Sequence, residues 1–203
     1  MTLANRITLM RLFLSLVIFV LIFYRSLWSL GLAFALLTVA SISDGIDGVI
    51  ARRTHTTTRF GAIVDPLADK VLILATFLAF ASIRELHIPI WAIFIILLRE
   101  FMVSTLRVLA ALHGEVMKAE AAGKFKTTIQ LIAAFVIMAL LVLKAAARKY
   151  PMDWDWLRWL LARTGDIASG LTILAAAITL ISGVLYFHNH RKLIVKSWAE
   201  KNQ

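Results

Sequence analysis

Long apolar runs separated by short polar turns make up most of the chain. Each run has roughly the 20 residues that a helix needs to cross a bilayer. We place six of them at 9–24, 30–51, 64–84, 89–111, 124–146 and 165–187. No repeat, low-complexity tract or long linker separates them, which favours a single domain over residues 1–203. Since backbone polar groups inside a bilayer must bond within their own segment, the pattern predicts an all-α integral membrane protein, a bundle of six transmembrane helices.

Composition supports a membrane protein and narrows its ligands. Hydrophobic residues make up 61% of the chain and the mean hydropathy is +0.84, whereas soluble domains are roughly half apolar. The net charge is +10, but the basic residues lie in short segments between apolar runs and form no continuous stripe. That distribution favours membrane lipid headgroups and phosphorylated substrates over nucleic acid. The absence of cysteine excludes disulfides and thiol catalysis.

The distribution of basic and aromatic residues predicts the orientation. Segments on the side of the N-terminus hold more lysine and arginine than the opposite segments, although the stretch 144–164 is also basic. No small-residue cleavage site follows the first apolar run, so we interpret it as a retained helix. An interfacial belt at the other ends of the runs is indicated by Trp28, Trp91, Trp154, Trp156 and Trp159. We therefore expect a multi-pass protein of the cell (inner) membrane with a cytoplasmic N-terminus.

Four aspartates stand at the cytoplasmic edge of the second and third runs. Asp44 and Asp47 are three residues apart, and Asp65 and Asp69 are four apart, so each pair lies on one face of a helix. Ionised groups near hydrocarbon are costly and need partners, and hard carboxylate oxygens suit magnesium. Two ions about 4 Å apart would form the clamp used for in-line displacement at phosphorus. The four acids therefore predict a cytoplasmic site for two divalent cations.

Taken singly, these acids also have a structural interpretation. Asp65 before Pro66 is typical of a helix N-cap, and Asp44 before Gly45 is typical of a helix end. Four acids at this spacing are harder to explain as caps. The metal site is the interpretation that we adopt.

Small and polar residues surround the acidic pairs. Gly48 lacks a Cβ and lets a ligand approach the backbone, and Arg52 can neutralise a phosphate. On the first helix, one face carries polar groups towards the cytoplasmic mouth of the bundle: Asn5, Thr8 and Arg11. At the far end, His188 and His190 are interpreted as a solvated helix terminus and not as metal ligands.

The fourth run contains charged residues, which are costly inside a bilayer and usually have a function. At 100° per residue, Arg99, Glu100 and Arg107 fit within one wide face. Either Glu100 pairs with Arg107 inside the bundle, or the arginines form an anion pocket. Lys124 and Lys126 begin the fifth run and can extend to the interface or reach the same pocket. The pattern does not choose between the two lysines.

The spacing Asp44-x2-Asp47-Gly48-x2-Ala51-Arg52-x8-Gly61-x3-Asp65-x3-Asp69 resembles the signature of the CDP-alcohol phosphotransferase family of integral membrane enzymes. The segments RFGAIVDPLADK, LLREFMVSTLR and GKFKTTIQ extend the resemblance over roughly residues 5 to 130. They look most like the family members that make phosphatidylglycerophosphate. At the N-terminus the family usually has a proline before the threonine of its Asn/Thr/Arg pattern, where this chain has Ile7.

The resemblance implies a role for each of these residues. Asp44 would bridge two Mg²⁺ ions, Asp47 and Asp65 would complete their shells, and Asp69 would contact the second ion and act as general base. The donor CDP-diacylglycerol would be held by Gly48, Ala51, Arg52 and Thr58, with Asn5, Thr8 and Arg11 nearby. The acceptor glycerol 3-phosphate would lie near Arg99, Arg107, Lys124 and Lys126. A homodimer is also implied, and Mn²⁺ can replace Mg²⁺ at such oxygen ligands.

Two other functions remain open on the sequence. The same chemistry can serve another acceptor, namely inositol phosphate, serine, or phosphatidylglycerol as in the cardiolipin synthases. A non-catalytic carrier or channel with an acidic cation site is the second. Such a carrier would need the aspartates but would have no reason to keep Gly48, Ala51 and Arg52 at their spacing.

Overall fold

The computed structural model describes residues 3–54, 59–112, 121–150 and 154–191. Within these ranges the regular elements are all helical. The α-helices are α1 Leu3–Tyr24, α2 Leu27–Thr54, α3 Arg59–Ala81, α4 Ile90–Leu112, α5 Ala121–Lys149, α6 Asp155–Ala162 and α7 Thr164–Asn189. A 3-10 turn, Arg84–Leu86, joins α3 to α4. The prediction of an all-α fold is confirmed for this part of the chain.

Each of the six apolar runs coincides with one long helix, α1 to α5 and α7, and their ends differ by a few residues. The short helix α6 is an element that the apolar pattern does not predict. Its Leu157 is buried, whereas Trp156 and Trp159 are exposed. Because α6 has only one apolar turn, the search for runs of bilayer length passes over it.

Short connections and contacts near both ends of the helices, such as Arg25 with Ser82 and Lys144 with Glu85, indicate that successive long helices run in opposite directions. Lys70 of α3 meets Ser104 of α4, and Gln130 of α5 meets Thr179 of α7. All the starts and ends of the helices therefore lie at two ends of the bundle. The aspartate end is where α2 ends and α3 begins, and the tryptophan end is where α1 ends and α2 begins. The five tryptophans of the predicted belt all lie at the tryptophan end and are all exposed.

The main core lies between α1, α2, α3 and α5. Ile22, Leu37, Phe77 and Ile137 are fully buried there, and each comes from a different helix. Small residues such as Ala33 on α2 and Ala134 on α5 are equally buried. In apolar bundles small side chains let helix backbones approach closely, which strengthens dispersion contacts.

Many large apolar side chains are exposed on the outer surface, and several hydroxyl groups within the helices bond locally. Phe13 is 65% exposed and Val184 is 62% exposed, as expected for side chains that face lipid. Hydroxyl groups inside the bundle donate to carbonyls one turn earlier, for example Thr76 to Leu72 at 2.8 Å. Such bonds satisfy polar groups without water.

Two helices, Lys126–Lys149 and Thr164–Asn189, are long and apolar enough to cross a bilayer among the residues that the structure describes. Shorter apolar stretches occupy Leu9–Tyr24, Leu27–Ser43 and Lys70–Ala81. These lengths agree with membrane helices for α5 and α7. The crossing of the bilayer by all six long helices stays a prediction.

Candidate active site

The aspartates of the predicted metal site are carried by two helices that meet the same end of the bundle. Asp44 and Asp47 lie in α2, and Asp65 and Asp69 lie in α3. The helical spacing that places each pair on one face is therefore confirmed for the backbone. The structure does not describe the side chains of these aspartates, so the distances between the four carboxylates stay a prediction.

The alternative interpretation of these acids as helix caps is wrong. Helix α2 continues past Asp44 and Gly45 to Thr54, and α3 begins at Arg59, well before Asp65. Pro66 consequently sits inside α3, where its nitrogen cannot donate to the carbonyl one turn earlier. Aspartate, glycine and proline are all poor residues for a helix interior. Their presence there favours a functional reason for the sequence.

Helix α1 brings the two acid-bearing helices together, because it packs against both α2 and α3. Only four residues, 55–58, separate α2 from α3, so Thr54 and Arg59 are at most about 18 Å apart. Arg11 of α1 is only 8% exposed, which agrees with a polar face directed into the bundle. Within the donor set, Thr58 lies outside the described residues, and the side chains of Asn5, Thr8, Gly48, Ala51 and Arg52 are not among those described.

Helices α4, α5 and α7 share a buried polar cluster around Glu100, which we call the Glu100 cluster. The Glu100 carboxylate accepts a bond from Arg99 Nη1 at 3.3 Å and forms an ion pair with Lys126 Nζ. Arg99 Nη2 donates to Ser182 Oγ at 2.9 Å. Arg99 and Lys126 are each only 5% exposed. Charges buried this deeply are stabilised by such pairing and bonding.

The sequence analysis left open which residue pairs with Glu100 and which lysine faces this region. Glu100 pairs with Arg99 and Lys126, and of the two candidate lysines Lys126 is directed into the cluster. The side chains of Arg107 and Lys124 lie outside the described set. Pairing and an anion pocket are therefore compatible, because Glu100 can hold both cations in place beside a ligand.

Lys70 connects the aspartate helix α3 to the Glu100 cluster, a contact that the sequence analysis missed. Its Nζ bonds to Ser104 Oγ and lies 3.4 Å from the Glu100 carbonyl oxygen. Since Lys70 follows Asp69 directly in the chain, the cluster lies close to the fourth aspartate. The available signal was a lysine inside an apolar run, which by default indicates function.

The charge of this region suits an anionic ligand. Lys70, Arg99 and Lys126 are cations and Glu100 is the carboxylate among them, a net charge of +2 for these described side chains. Gln130 and Thr179 are buried about one turn from Lys126 and Ser182, and they share a 2.9 Å hydrogen bond. Buried arginine is the side chain best suited to bind a phosphate through two bonds at once.

Gly183 lets α7 approach Arg99, and this contact supports a prediction. A Cβ at Gly183 would lie 2.8 Å from Arg99 Cγ, whereas a Cβ at Gly170 of the same helix would meet nothing within 4 Å. We expect Gly183→Ala to destabilise the folded protein by about 1–3 kcal/mol through overpacking. The matched Gly170→Ala should be neutral or stabilising by up to about 1 kcal/mol. Thermal unfolding in detergent checks both, and equal shifts would contradict the close approach.

Comparisons with known proteins point to one family. A family model described as CDP-alcohol phosphatidyltransferase matches residues 1–181. The chain is 39% identical over 103 residues to the CDP-diacylglycerol–glycerol-3-phosphate 3-phosphatidyltransferase of Bacillus subtilis, across 51% of this chain and 52% of that protein. It is 38% identical over 122 residues to the enzyme of the same name from Escherichia coli K12, across 57% and 65% of the two chains. A probable phosphatidylglycerophosphate synthase of Mycobacterium tuberculosis is 38% identical over 134 residues, across 64% and 63%.

Each of these matches spans less than two thirds of the relative's own length. The family match is broader, since it runs from the start of the chain through α1 to α5 and into α7. It includes the four aspartates and every residue of the Glu100 cluster except Ser182. With its apolar helices, the chain is a membrane protein and belongs to the CDP-alcohol phosphatidyltransferase family.

Proposed function

We propose that this protein transfers the phosphatidyl group of CDP-diacylglycerol to glycerol 3-phosphate and releases phosphatidylglycerophosphate and CMP. The observation that carries the proposal is the Glu100 cluster, which holds Arg99 and Lys126 buried and next to the aspartate helix α3. Fixed cations of this kind can hold the phosphate of a phosphorylated acceptor. The names of the relatives in Bacillus subtilis and Escherichia coli agree with this acceptor.

The four aspartates form a donor set that fits two Mg²⁺ ions, with Mn²⁺ as the substitute. They supply only hard oxygen ligands, two from each of two helices, which suits these cations. When bound, the ions would neutralise the diphosphate and stabilise charge on the departing phosphate. The residues assigned as ligands are Asp44, Asp47, Asp65 and Asp69.

The donor would bind along α2 and the start of α1. Gly48 and Ala51 leave room for the cytidine diphosphate, while Arg52 and Thr58 supply a cation and a hydroxyl for its oxygens. Arg11, which is buried, would add a second cation on the facing helix. Thr8 and Asn5, about one and two turns before Arg11, would complete the polar face.

The acceptor would bind with its phosphate on the Glu100 cluster and its hydroxyl towards Asp69. Arg99 and Lys126 would hold the phosphate, with Arg107 and Lys124 as further cations of the same region. The hydroxyl oxygen bonds to the phosphorus that carries diacylglycerol, and the bond from that phosphorus to CMP breaks. Asp69 accepts the hydroxyl proton. Its neighbour Lys70, bonded to α4, would fix the distance between base and acceptor.

The location proposed for the reaction is the cytoplasmic face of the cell (inner) membrane. The six long helices would all cross the bilayer, with the N-terminus and the aspartate end inside. Exposed tryptophans at the tryptophan end support this, because such rings favour the interface. The active form is proposed to be a homodimer.

An acceptor panel tests the proposed function. The purified full chain, supplied with CDP-diacylglycerol and Mg²⁺, should release CMP with glycerol 3-phosphate and not with glycerol, serine or phosphatidylglycerol. Inositol phosphate is the informative competitor, because it also carries a phosphate for Arg99 and Lys126. Faster CMP release with inositol phosphate would reassign the acceptor. No release with any acceptor would favour a cation carrier.

A further inference from the structure

A small pocket at the tryptophan end has no part in the proposed reaction. It lies between the start of α2, the 3-10 turn and the end of α5, and it is a partly open depression with a volume of about 20 Å³. The aspartate end is at the opposite end of the same helices. Four charged side chains line the pocket, namely Arg25, Glu85, Lys144 and Arg148. The pocket is therefore a second polar feature of this membrane protein.

The charges of this pocket do not balance. Lys144 Nζ lies 2.8 Å from Glu85 Oε2, and Arg148 Nη2 lies 3.1 Å from both carboxylate oxygens. The hydrogen bond from Lys144 holds the pKa of Glu85 below its usual value. Partial burial opposes this shift, and the hydrogen bonds from Arg148 add to it. Glu85 thus stays ionised near neutral pH and is already shared by two cations. Three cations and one carboxylate leave the lining with a net charge of +2.

Arg25 is the cation of this pocket that no carboxylate of the described residues engages. Among the described residues its guanidinium makes one hydrogen bond, from Nη2 to the Ser82 carbonyl oxygen, and that bond is long, at 3.4 Å. A guanidinium has five N–H donors, so most of its bonding capacity remains for a ligand. Arg25 also has a φ of 51°, in the left-handed region that is unfavourable for residues with a side chain. A glycine would fit that turn at less cost.

The surroundings of the pocket are those of a membrane interface. Its remaining lining is apolar, for example Leu30 and Leu141. Beside it, Lys149 Nζ lies 5.4 Å from the ring centroid of the exposed Trp28, a pairing typical of the headgroup level. A free phosphate would use the cations and leave the apolar lining uncovered. A glycerophospholipid would cover both.

We propose that this pocket binds the phosphate of an anionic glycerophospholipid from the leaflet at the tryptophan end. The phosphate lies on Arg25, Lys144 and Arg148, and the glycerol and first methylenes lie on the apolar lining. The lipid adds the negative charge that the pocket lacks and ties the α1–α2 turn to the end of α5. The site is independent of the transfer reaction, because it shares no residue with the Glu100 cluster or the aspartates.

Lipid binding to three variants tests the site. The full chain in neutral detergent is titrated with dioleoylphosphatidylglycerol, and retained lipid is measured by native mass spectrometry. Arg25→Gly removes the cation and relieves the left-handed turn, so it should fold at least as stably as the wild type yet bind this lipid about tenfold more weakly, equivalent to about 1.4 kcal/mol. Arg25→Gln should weaken binding equally. Arg163→Gln, a cation stacked on Trp159 at the same end, should change binding by less than about twofold.

Each other outcome overturns the proposal. Unchanged binding in both Arg25 variants removes the site. Equal weakening by Arg163→Gln shows that the whole end attracts anionic lipid without a pocket. Equal retention of phosphatidylcholine shows that charge does not select the lipid. Inorganic phosphate is the last comparison. If it protects the wild type from unfolding as well as the lipid does, and does not protect Arg25→Gly, the pocket binds a free anion.

Discussion

Asp44→Asn should reduce CMP release by at least about a thousandfold while the protein remains folded. Asp44 is assigned to both metal ions. The substitution removes its negative charge and keeps the size of the side chain. Charge stabilisation by bound metal contributes several kcal/mol to such reactions, and each 1.36 kcal/mol corresponds to tenfold in rate. The measurement is the initial rate of CMP release at saturating CDP-diacylglycerol and glycerol 3-phosphate, together with the binding of Mn²⁺ followed by electron paramagnetic resonance.

Asp155→Asn is the matched control for this prediction. Asp155 begins the short helix α6 at the tryptophan end and is exposed, so the same substitution there should leave both rate and metal binding unchanged. Helix α2 continues through Asp44, and asparagine has a helix propensity close to that of aspartate. Substantial turnover by a well-folded Asp44→Asn protein, or two tightly bound Mn²⁺ ions in it, would contradict the dinuclear assignment.

The number and limits of the long helices could be predicted from the sequence because one physical requirement dominates them. A segment in hydrocarbon must be apolar and long, and both properties are visible in the residue pattern. Helix α6 has neither property over the required length, and its one buried residue, Leu157, leaves no periodic signal. The sequence identifies its tryptophans as interfacial, but it does not show that they lie in a helix.

The Glu100 cluster shows where sequence reasoning stops. Periodicity places Arg99 and Glu100 on one side of α4, and it identifies them as functional because they are charged. The partner of Glu100 is decided by contacts between helices, and α5 supplies Lys126 for it. Ser182 is the more difficult case, since its bond to Arg99 spans 83 positions of the chain and serine is common in membrane helices. A pattern within one helix carries no information on such contacts.

The aspartates are a different case, because their helical setting is itself informative. Asp44 and Asp65 each stand beside a residue that usually ends or starts a helix, yet both helices pass through them. Local preference and observed structure disagree at these positions. Such disagreement is expected at functional sites, where the sequence is selected for chemistry at some cost in stability. The family signature and the helix limits therefore support the same residues for separate reasons.

Arg99→Ala should raise the KM for glycerol 3-phosphate by about tenfold or more and leave the KM for CDP-diacylglycerol within about twofold. A charge-assisted hydrogen bond to a phosphate is typically worth about 1.5–3 kcal/mol, and about 1.4 kcal/mol corresponds to tenfold in affinity. Glu100 keeps Lys126 as its partner in this variant, which limits the damage to the cluster.

Ser182→Ala supplies the control, because it removes the hydroxyl that accepts from Arg99 Nη2 and leaves the guanidinium charge in place. It should raise the KM for glycerol 3-phosphate by less than about threefold, since orientation is weakened but the cation remains. Arg99→Lys separates charge from shape, because lysine keeps the charge and loses the planar fork, and we expect it to fall between the two. Steady-state kinetics with each substrate varied in turn measure all three variants. If Arg99→Ala weakens the donor and leaves the acceptor unchanged, Arg99 binds the diphosphate, and the phosphate of the acceptor must lie on other cations.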